Sequence, residues 1–204
     1  MSIEKYLIEI IEEKRKGLFP YLILLFLSFL SIVYLIPLNF FYFLYKKKII
    51  KPKKFSNSII ISVGNITLGG TGKTPFCAYL AEKLNKNVAI VLSGYKGKNK
   101  KVRIVDKKSE YTEFGDEACL LSHLCNYAKI IVGKNRNKAI SLAKSIGCNT
   151  IILDDGFQRR WQIKYDLNII LIDSTNPFGN KKLFPRGILR EPIENISQCD
   201  VIIL

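Results

Sequence analysis

Residues Thr67–Thr74 read TLGGTGKT, between an apolar β-branched run and a stretch suited to a helix. Glycines at Gly69, Gly70 and Gly72 let a backbone curl until several N–H groups face one anion. A helix starting just beyond adds the partial positive charge of its N-terminus. In such a loop Lys73 reaches the β- and γ-phosphates of a nucleotide, and the Thr74 hydroxyl binds Mg²⁺. Pro75 falls in the first helical turn, where its missing N–H does little harm. The usual pattern asks for Gly five positions before Gly72, where Thr67 stands, so the phosphate loop is an offset one. A Gly-rich turn with no ligand is the blander alternative, and the strand–loop–helix order weighs against it.

Two pairs of carboxylates are candidates to serve this loop. TIILDDG puts Asp154 and Asp155 directly after an apolar strand, where a carboxylate holds Mg²⁺ or one of its waters opposite the loop hydroxyl. Many strand-end acids only cap a turn; the Gly-rich loop earlier in the chain gives this pair its meaning. FGDEACLL puts Asp116 and Glu117 at a helix start. They read equally well as first-turn acids complementing the helix dipole and as a general base that deprotonates an acceptor hydroxyl beside the γ-phosphate.

Holding these groups together takes a sheet. SIIISVG, NVAIVLS, KVRIV, AKIIVG, TIILDDG, DLNIILID and DVIIL predict strands. Helices are predicted from about Thr74 to Leu84, within GDEACLLSHLCNY, and over NRNKAISLAKSIG. Short apolar strands alternating with helices predict an α/β fold of the P-loop NTPase type, a doubly wound and mainly parallel sheet with ligands at the carboxyl ends of its strands. The expected organisation is a membrane-associating segment over 1–54 and a P-loop kinase core over 55–204. An apolar DVIIL at the very end, with nothing after it to pack or cap, is the pattern expected of a chain cut short.

Before the uncharged segment, acids at Glu4, Glu9, Glu12 and Glu13 balance bases at Lys5, Lys14, Arg15 and Lys16. Ile3, Leu7, Ile10 and Ile11 follow a helical period there. Gly17–Tyr45 then contains no charged side chain. As helix, Leu18–Ile36 measures about 28 Å, near the roughly 30 Å of a bilayer core, and Pro37 is expected to break or kink it. NFFYFLY follows with rings suited to a membrane interface, and then the Lys-rich cluster KKKIIKPKK. That cluster outweighs the earlier basic charge and places the rest of the chain in the cytoplasm. A spanning helix, a helix lying in one leaflet and a buried soluble helix all fit this pattern.

A formal charge of +15 favours anionic partners. The basic stretch Tyr95–Lys108 suits a solvated hairpin, or a grip on an anionic substrate or headgroup layer. It lacks the interleaved aromatics of a single-strand binder, and no nucleic acid partner is expected. Five Cys, at 77, 119, 125, 148 and 199, contain no CxxC and read as reduced. Cys119, His123 and Cys125 lack a usual zinc spacing. GTPases read guanine with Asn-Lys-x-Asp; NKNV and NKAI both lack the Asp. Partitioning-type ATPases carry a Lys where Leu68 stands. The residues alone thus point to an ATP-using phosphotransferase on the cytoplasmic membrane face. The alternatives are a membrane-bound nucleotide-binding module and a truncated remnant without kinase activity.

SVGNITLGGTGKTP, FGDEACLL, VGKNRNKA, LDDGFQ, DLNIILID, FGNKKLFPRGILREP and DVIIL together resemble the tetraacyldisaccharide 4'-kinase family of lipid A biosynthesis. The resemblance implies transfer of the γ-phosphate of ATP to the 4'-hydroxyl of a lipid-linked disaccharide 1-phosphate held in the bacterial inner membrane, giving lipid IV-A. It implies that Thr67, Leu68, Gly69, Gly70, Thr71, Gly72, Lys73 and Thr74 hold the triphosphate, and that Thr74 and Asp154, with Asp155 beside it, serve Mg²⁺. Asp116 is then the general base, Glu117 supports metal or substrate, and Arg190 and Glu191 face the nucleotide. Contacts with inner-membrane lipids are implied, and no obligate protein partner. This chain departs from the family pattern in LSGYKGK, which lacks an Arg, at Arg159 where His is common, and at Arg186 and Ile188 where Ala and Pro are common. The family pattern also continues into a further C-terminal segment that supplies a His to the catalytic Asp, and this chain is expected to be without it.

Overall fold

The computed structural model describes residues 3–84, 86–94, 97–98 and 101–204. Tyr95, Lys96, Asn99 and Lys100 of the basic stretch lie outside the described residues. Two compact units are present: Met1–Ile50 with Ile66–Gly69 and Ile172–Ser197, and Lys51–Asn65 with Gly70–Leu171 and Gln198–Leu204.

The second unit holds a seven-stranded sheet: β1 (Ile59–Gly64), β2 (Val88–Leu92), β3 (Arg103–Val105), β4 (Ala128–Val132), β5 (Thr150–Asp154), β6 (Leu167–Leu171) and β7 (Val201–Ile203). The strand order is β3-β4-β2-β5-β1-β6-β7. All pairings are parallel except that of the edge strand β3 with β4. Helices α3 (Lys73–Leu84), α4 (Tyr111–Phe114), α5 (Asp116–Leu124) and α6 (Arg136–Ser145) belong to the same unit.

Both faces of the sheet are covered, which explains the uniformly apolar strands. Ile61, Val63, Ile90 and Ile152 pack with Cys77 and Ala81 of α3 and Ala118 and Leu121 of α5. Their strand neighbours Ile60, Ala89, Val91, Ile151 and Leu153 pack with Ala139, Ile140 and Ala143 of α6. The period-2 alternation of a strand thus divides one apolar run between two cores. Asn135 starts α6 as its N-cap, its side chain accepting from the Lys138 N–H.

The register of β1 and β5 builds the working edge. Val63 stands opposite Asp154, so the strand-end acid lies level with the end of β1, just before the Gly-rich loop. Gly64 follows because Phe157 packs against it: a Cβ at 64 comes 2.5 Å from Phe157 Cβ and 2.9 Å from its backbone N. Gly64→Ala is expected to destabilise the fold by about 2–3 kcal/mol, read as a lower denaturation midpoint with an unchanged slope.

In the first unit, α1 (Ile3–Ile11) and α2 (Leu18–Lys46) pack together. Helix α2 runs through Pro37 rather than ending there. A proline removes one i→i−4 bond, and the helical ladder resumes beyond it; such interruptions are tolerated in long apolar helices. The helix closes later, with Lys48 in the left-handed region and the N–H groups of Lys48 and Ile49 bonded to the carbonyls of Tyr45 and Leu44. By length and composition α2 is able to cross a membrane. Most of its large apolar side chains are exposed.

Candidate active site

The Gly-rich loop runs from β1 into α3, whose first residue is Lys73; its Thr67–Gly69 belong to the first unit and its Gly70–Thr74 to the second. Gly69 and Gly72 have φ of 114° and 76°, which residues with a side chain rarely adopt. A Cβ at Gly69, Gly70 or Gly72 meets no heavy atom within 4 Å. The loop backbone is therefore open on its outer side, as a phosphate cradle requires. Asn65, fully buried, donates from Nδ2 to Thr71 Oγ1 at 3.1 Å. Its carbonyl accepts from Gln158 Nε2 at 2.8 Å. The Gln of LDDGFQ thus braces the entrance of the loop, and Phe157 packs on Gly64.

Asp154 ends β5 and is buried, and its Oδ1 has no hydrogen-bond partner among the described residues. Burial pushes its pKa up to about 6; the Lys73 ammonium and the Arg136 guanidinium oppose this, while Glu117 and Asp155 add to it. Lys73, Glu117 and Asp155 therefore each act on the carboxyl of Asp154. Asp155 takes φ of 55°, turning the chain sharply after the strand. Asp116 and Glu117 open α5 behind Gly115 at φ 90°, both exposed, with no side chain capping the helix. Burial raises the pKa of Cys119, one turn further along, and Asp116 adds to that rise.

Arg136, at the start of α6, is the residue the sequence did not single out. It is buried and donates from Nη2 to the Asp154 carbonyl at 2.8 Å, while Nη1 has no partner among the described residues. Burial lowers its pKa, and the carboxylates of Asp154 and Asp155 resist that. It pins the end of β5 by its backbone. The only sequence signal is its place in VGKNRNKA; nothing local marks an Arg as buried. Arg159, near this cluster in sequence, is exposed.

In the first unit, Thr67 is buried and bridges antiparallel to Leu189. The Leu68 N–H donates to the Ile188 carbonyl at 2.6 Å and the Arg190 N–H to the Ile66 carbonyl at 2.7 Å. The ILRE segment therefore runs as a strip along the first residues of the loop. Glu191 is almost fully buried and accepts from Asn195 Nδ2 at 2.9 Å. The carbonyl of Arg190 accepts from the Tyr34 hydroxyl of α2 at 3.0 Å.

The residues present fit a magnesium ion. A buried carboxylate oxygen without a donor is the group that a cation satisfies, and Mg²⁺ beside phosphates takes only one or two protein ligands.

A family model described as tetraacyldisaccharide-1-P 4'-kinase matches residues 23–204. The tetraacyldisaccharide 4'-kinase of Halothermothrix orenii is 36% identical over 212 residues, covering 100% of this chain and 55% of that protein. That of Desulfatibacillum aliphaticivorans is 42% identical over 186 residues, covering 87% and 50%. Among solved structures, LpxK from Aquifex aeolicus in complex with ATP superposes with a TM-score of 0.78 at 38% identity, covering 85% of this chain and 56% of that one. The chain spans about half the length of the curated relatives it matches.

Proposed function

The chain belongs to the tetraacyldisaccharide-1-P 4'-kinase family, and from that footing we propose that it transfers the γ-phosphate of ATP to the 4'-hydroxyl of a tetraacyldisaccharide 1-phosphate, forming lipid IV-A. The observation that carries this reading is the cluster at the strand ends: Lys73 heads α3 beyond an open Gly-rich loop, and its charge, with those of Glu117 and Asp155, acts on the buried carboxyl of Asp154.

In this reading Thr67–Thr74 hold the triphosphate through backbone N–H groups and the N-terminus of α3. Lys73 neutralises the β- and γ-phosphates. Thr74 and Asp154, with Asp155 beside it, hold Mg²⁺, which when bound offsets phosphate charge as a Lewis acid. Asp116 accepts the proton of the 4'-hydroxyl as the sugar oxygen bonds to the γ-phosphorus. The bond from that phosphorus to the β–γ bridging oxygen breaks, and its electron pair leaves with ADP. Glu117 orients metal or substrate, and Arg190 and Glu191 face the nucleotide.

The acceptor's acyl chains suit a site at the cytoplasmic face of the inner membrane. The first unit supports a helix that lies in one leaflet. Arg186, which follows α2, pairs with Glu13, which precedes it, and also donates to the Ile11 carbonyl at 3.1 Å. Residues on both sides of a spanning helix cannot share an ion pair, and dragging either charge into hydrocarbon costs about 2.5–3.5 kcal/mol or more.

The test is transfer of labelled γ-phosphate to the disaccharide acceptor in mixed micelles. Asp116→Asn is expected to lower the rate about 100-fold while ATP still raises the melting temperature. Steady ATP hydrolysis indifferent to acceptor would replace the kinase reading with that of a nucleotide-binding module.

A further inference from the structure

Within the first unit, a cavity of about 310 Å³ opens between α2 and the 181–186 segment. Ser28, Ser31, Ile32 and Leu35 line it from the helix, and Lys181, Lys182, Leu183 and Arg186 from the segment. The wall is built rather than incidental. Ser31 Oγ donates to the Leu183 carbonyl at 2.8 Å and accepts from the Arg186 N–H at 3.1 Å. Asn180 Nδ2 donates to the carbonyls of Arg186 and Ile11. Arg186 is only 6% exposed, and its charge is answered by Glu13. Lys181 and Lys182, both exposed, have no acidic partner among the described residues.

The helix continues the site along its length. Leu25, Phe29, Ile32 and Ile36 recur at helical spacing and are each more than half exposed. They make an apolar stripe about 16 Å long that passes the cavity. One end of the surface therefore asks for a negative charge, and the other asks for a hydrocarbon chain.

We infer that this cavity binds the phosphate headgroup of an acidic membrane phospholipid, with an acyl chain laid along Leu25, Phe29, Ile32 and Ile36. The two free ammonium groups supply the charge complement, and the cavity is large enough for a glycerophosphate headgroup but not for a whole lipid. The site is separate from the phosphate loop and uses none of the residues assigned to catalysis. It rests on the one-leaflet reading of α2, because only there do Lys181 and Lys182 lie at headgroup depth.

The full chain is bound to phosphatidylcholine vesicles containing phosphatidylglycerol with a photoreactive acyl chain, and adducts are mapped by mass spectrometry. Adducts are expected within 25–36 and 181–183. Lys181→Gln and Lys182→Gln should each lower their yield about fivefold. Replacing Lys46, Lys47 and Lys48 with Gln should weaken total vesicle binding without moving the adducts. Equal yield from a photoreactive phosphatidylcholine, unchanged yield in the double Lys181/Lys182 variant, or adducts mapped elsewhere overturns the proposal. Suppression of the adducts by the disaccharide acceptor overturns it too, handing the cavity to the substrate. Failure of the wild type to bind any vesicle sinks the membrane reading itself, a result distinct from binding without the mapped adducts.

Discussion

Lys73→Ala is expected to lower phosphate transfer by about 10³-fold, with little change in the melting temperature of the nucleotide-free protein. Two effects of one ammonium combine. In the proposed reaction it neutralises charge gathering on the β- and γ-phosphates, and no other Lys or Arg stands in the loop TLGGTGKT. It is also the largest influence holding down the proton affinity of Asp154. Without it, the pKa of that buried carboxyl rises further above about 6. The acidic limb of the pH–rate profile should therefore move to higher pH, in addition to the fall in its plateau. Lys73→Arg restores charge but not the compact ammonium, so it should return the limb toward its original position while recovering only part of the rate. A Lys73→Ala rate within tenfold of wild type would remove this loop from the chemistry.

Much of this arrangement is legible in the sequence. Strands written as apolar β-branched runs between helix-forming stretches came out as a doubly wound, mainly parallel sheet, because a strand buried on both faces has no polar side to display. The offset loop and the acids after TIIL were equally readable, since chemistry at strand ends is local in sequence. What stayed hidden is what long-range packing decides. Asn65, Gln158 and Arg136 brace the loop and the end of β5 through hydrogen bonds. Two of these join residues 18 and 93 positions apart, a separation no periodicity records. Helix α2 passes through Pro37 because the surrounding ladder outweighs one lost bond, a balance that a residue-by-residue rule misses. The gathering of Ile172–Ser197 with the N-terminal helices rests on Ser31, Tyr34 and Glu13 meeting the far-removed Leu183, Arg190 and Arg186.

Asp154→Asn is expected to separate stability from activity. In the metal-free folded protein, burial raises the Asp154 pKa from 3.8 to about 6. Between those values the folded state binds more protons than the unfolded state, so stability falls as pH rises through that window. Above it the full penalty applies, on the order of 2–3 kcal/mol. Asn carries no charge to desolvate. At pH 8 and without magnesium the variant should be about 2 kcal/mol more stable than wild type, and near pH 4 the two should converge. Denaturant titrations at both pH values measure this. Transfer should meanwhile fall by about 10³-fold or more, because the anion proposed to hold the metal is gone. Adding Mg²⁺ and ATP should stabilise the wild type more than the variant. A variant less stable than wild type at pH 8 would mean that the carboxylate serves the fold, as a counterion to Arg136, rather than the reaction. The orphaned Oδ1 argues for the reaction: a carboxylate kept for structure would have its oxygens bonded, whereas this Oδ1 is buried and without a donor among the described residues, at the end of the strand beside β1 and its Gly-rich loop.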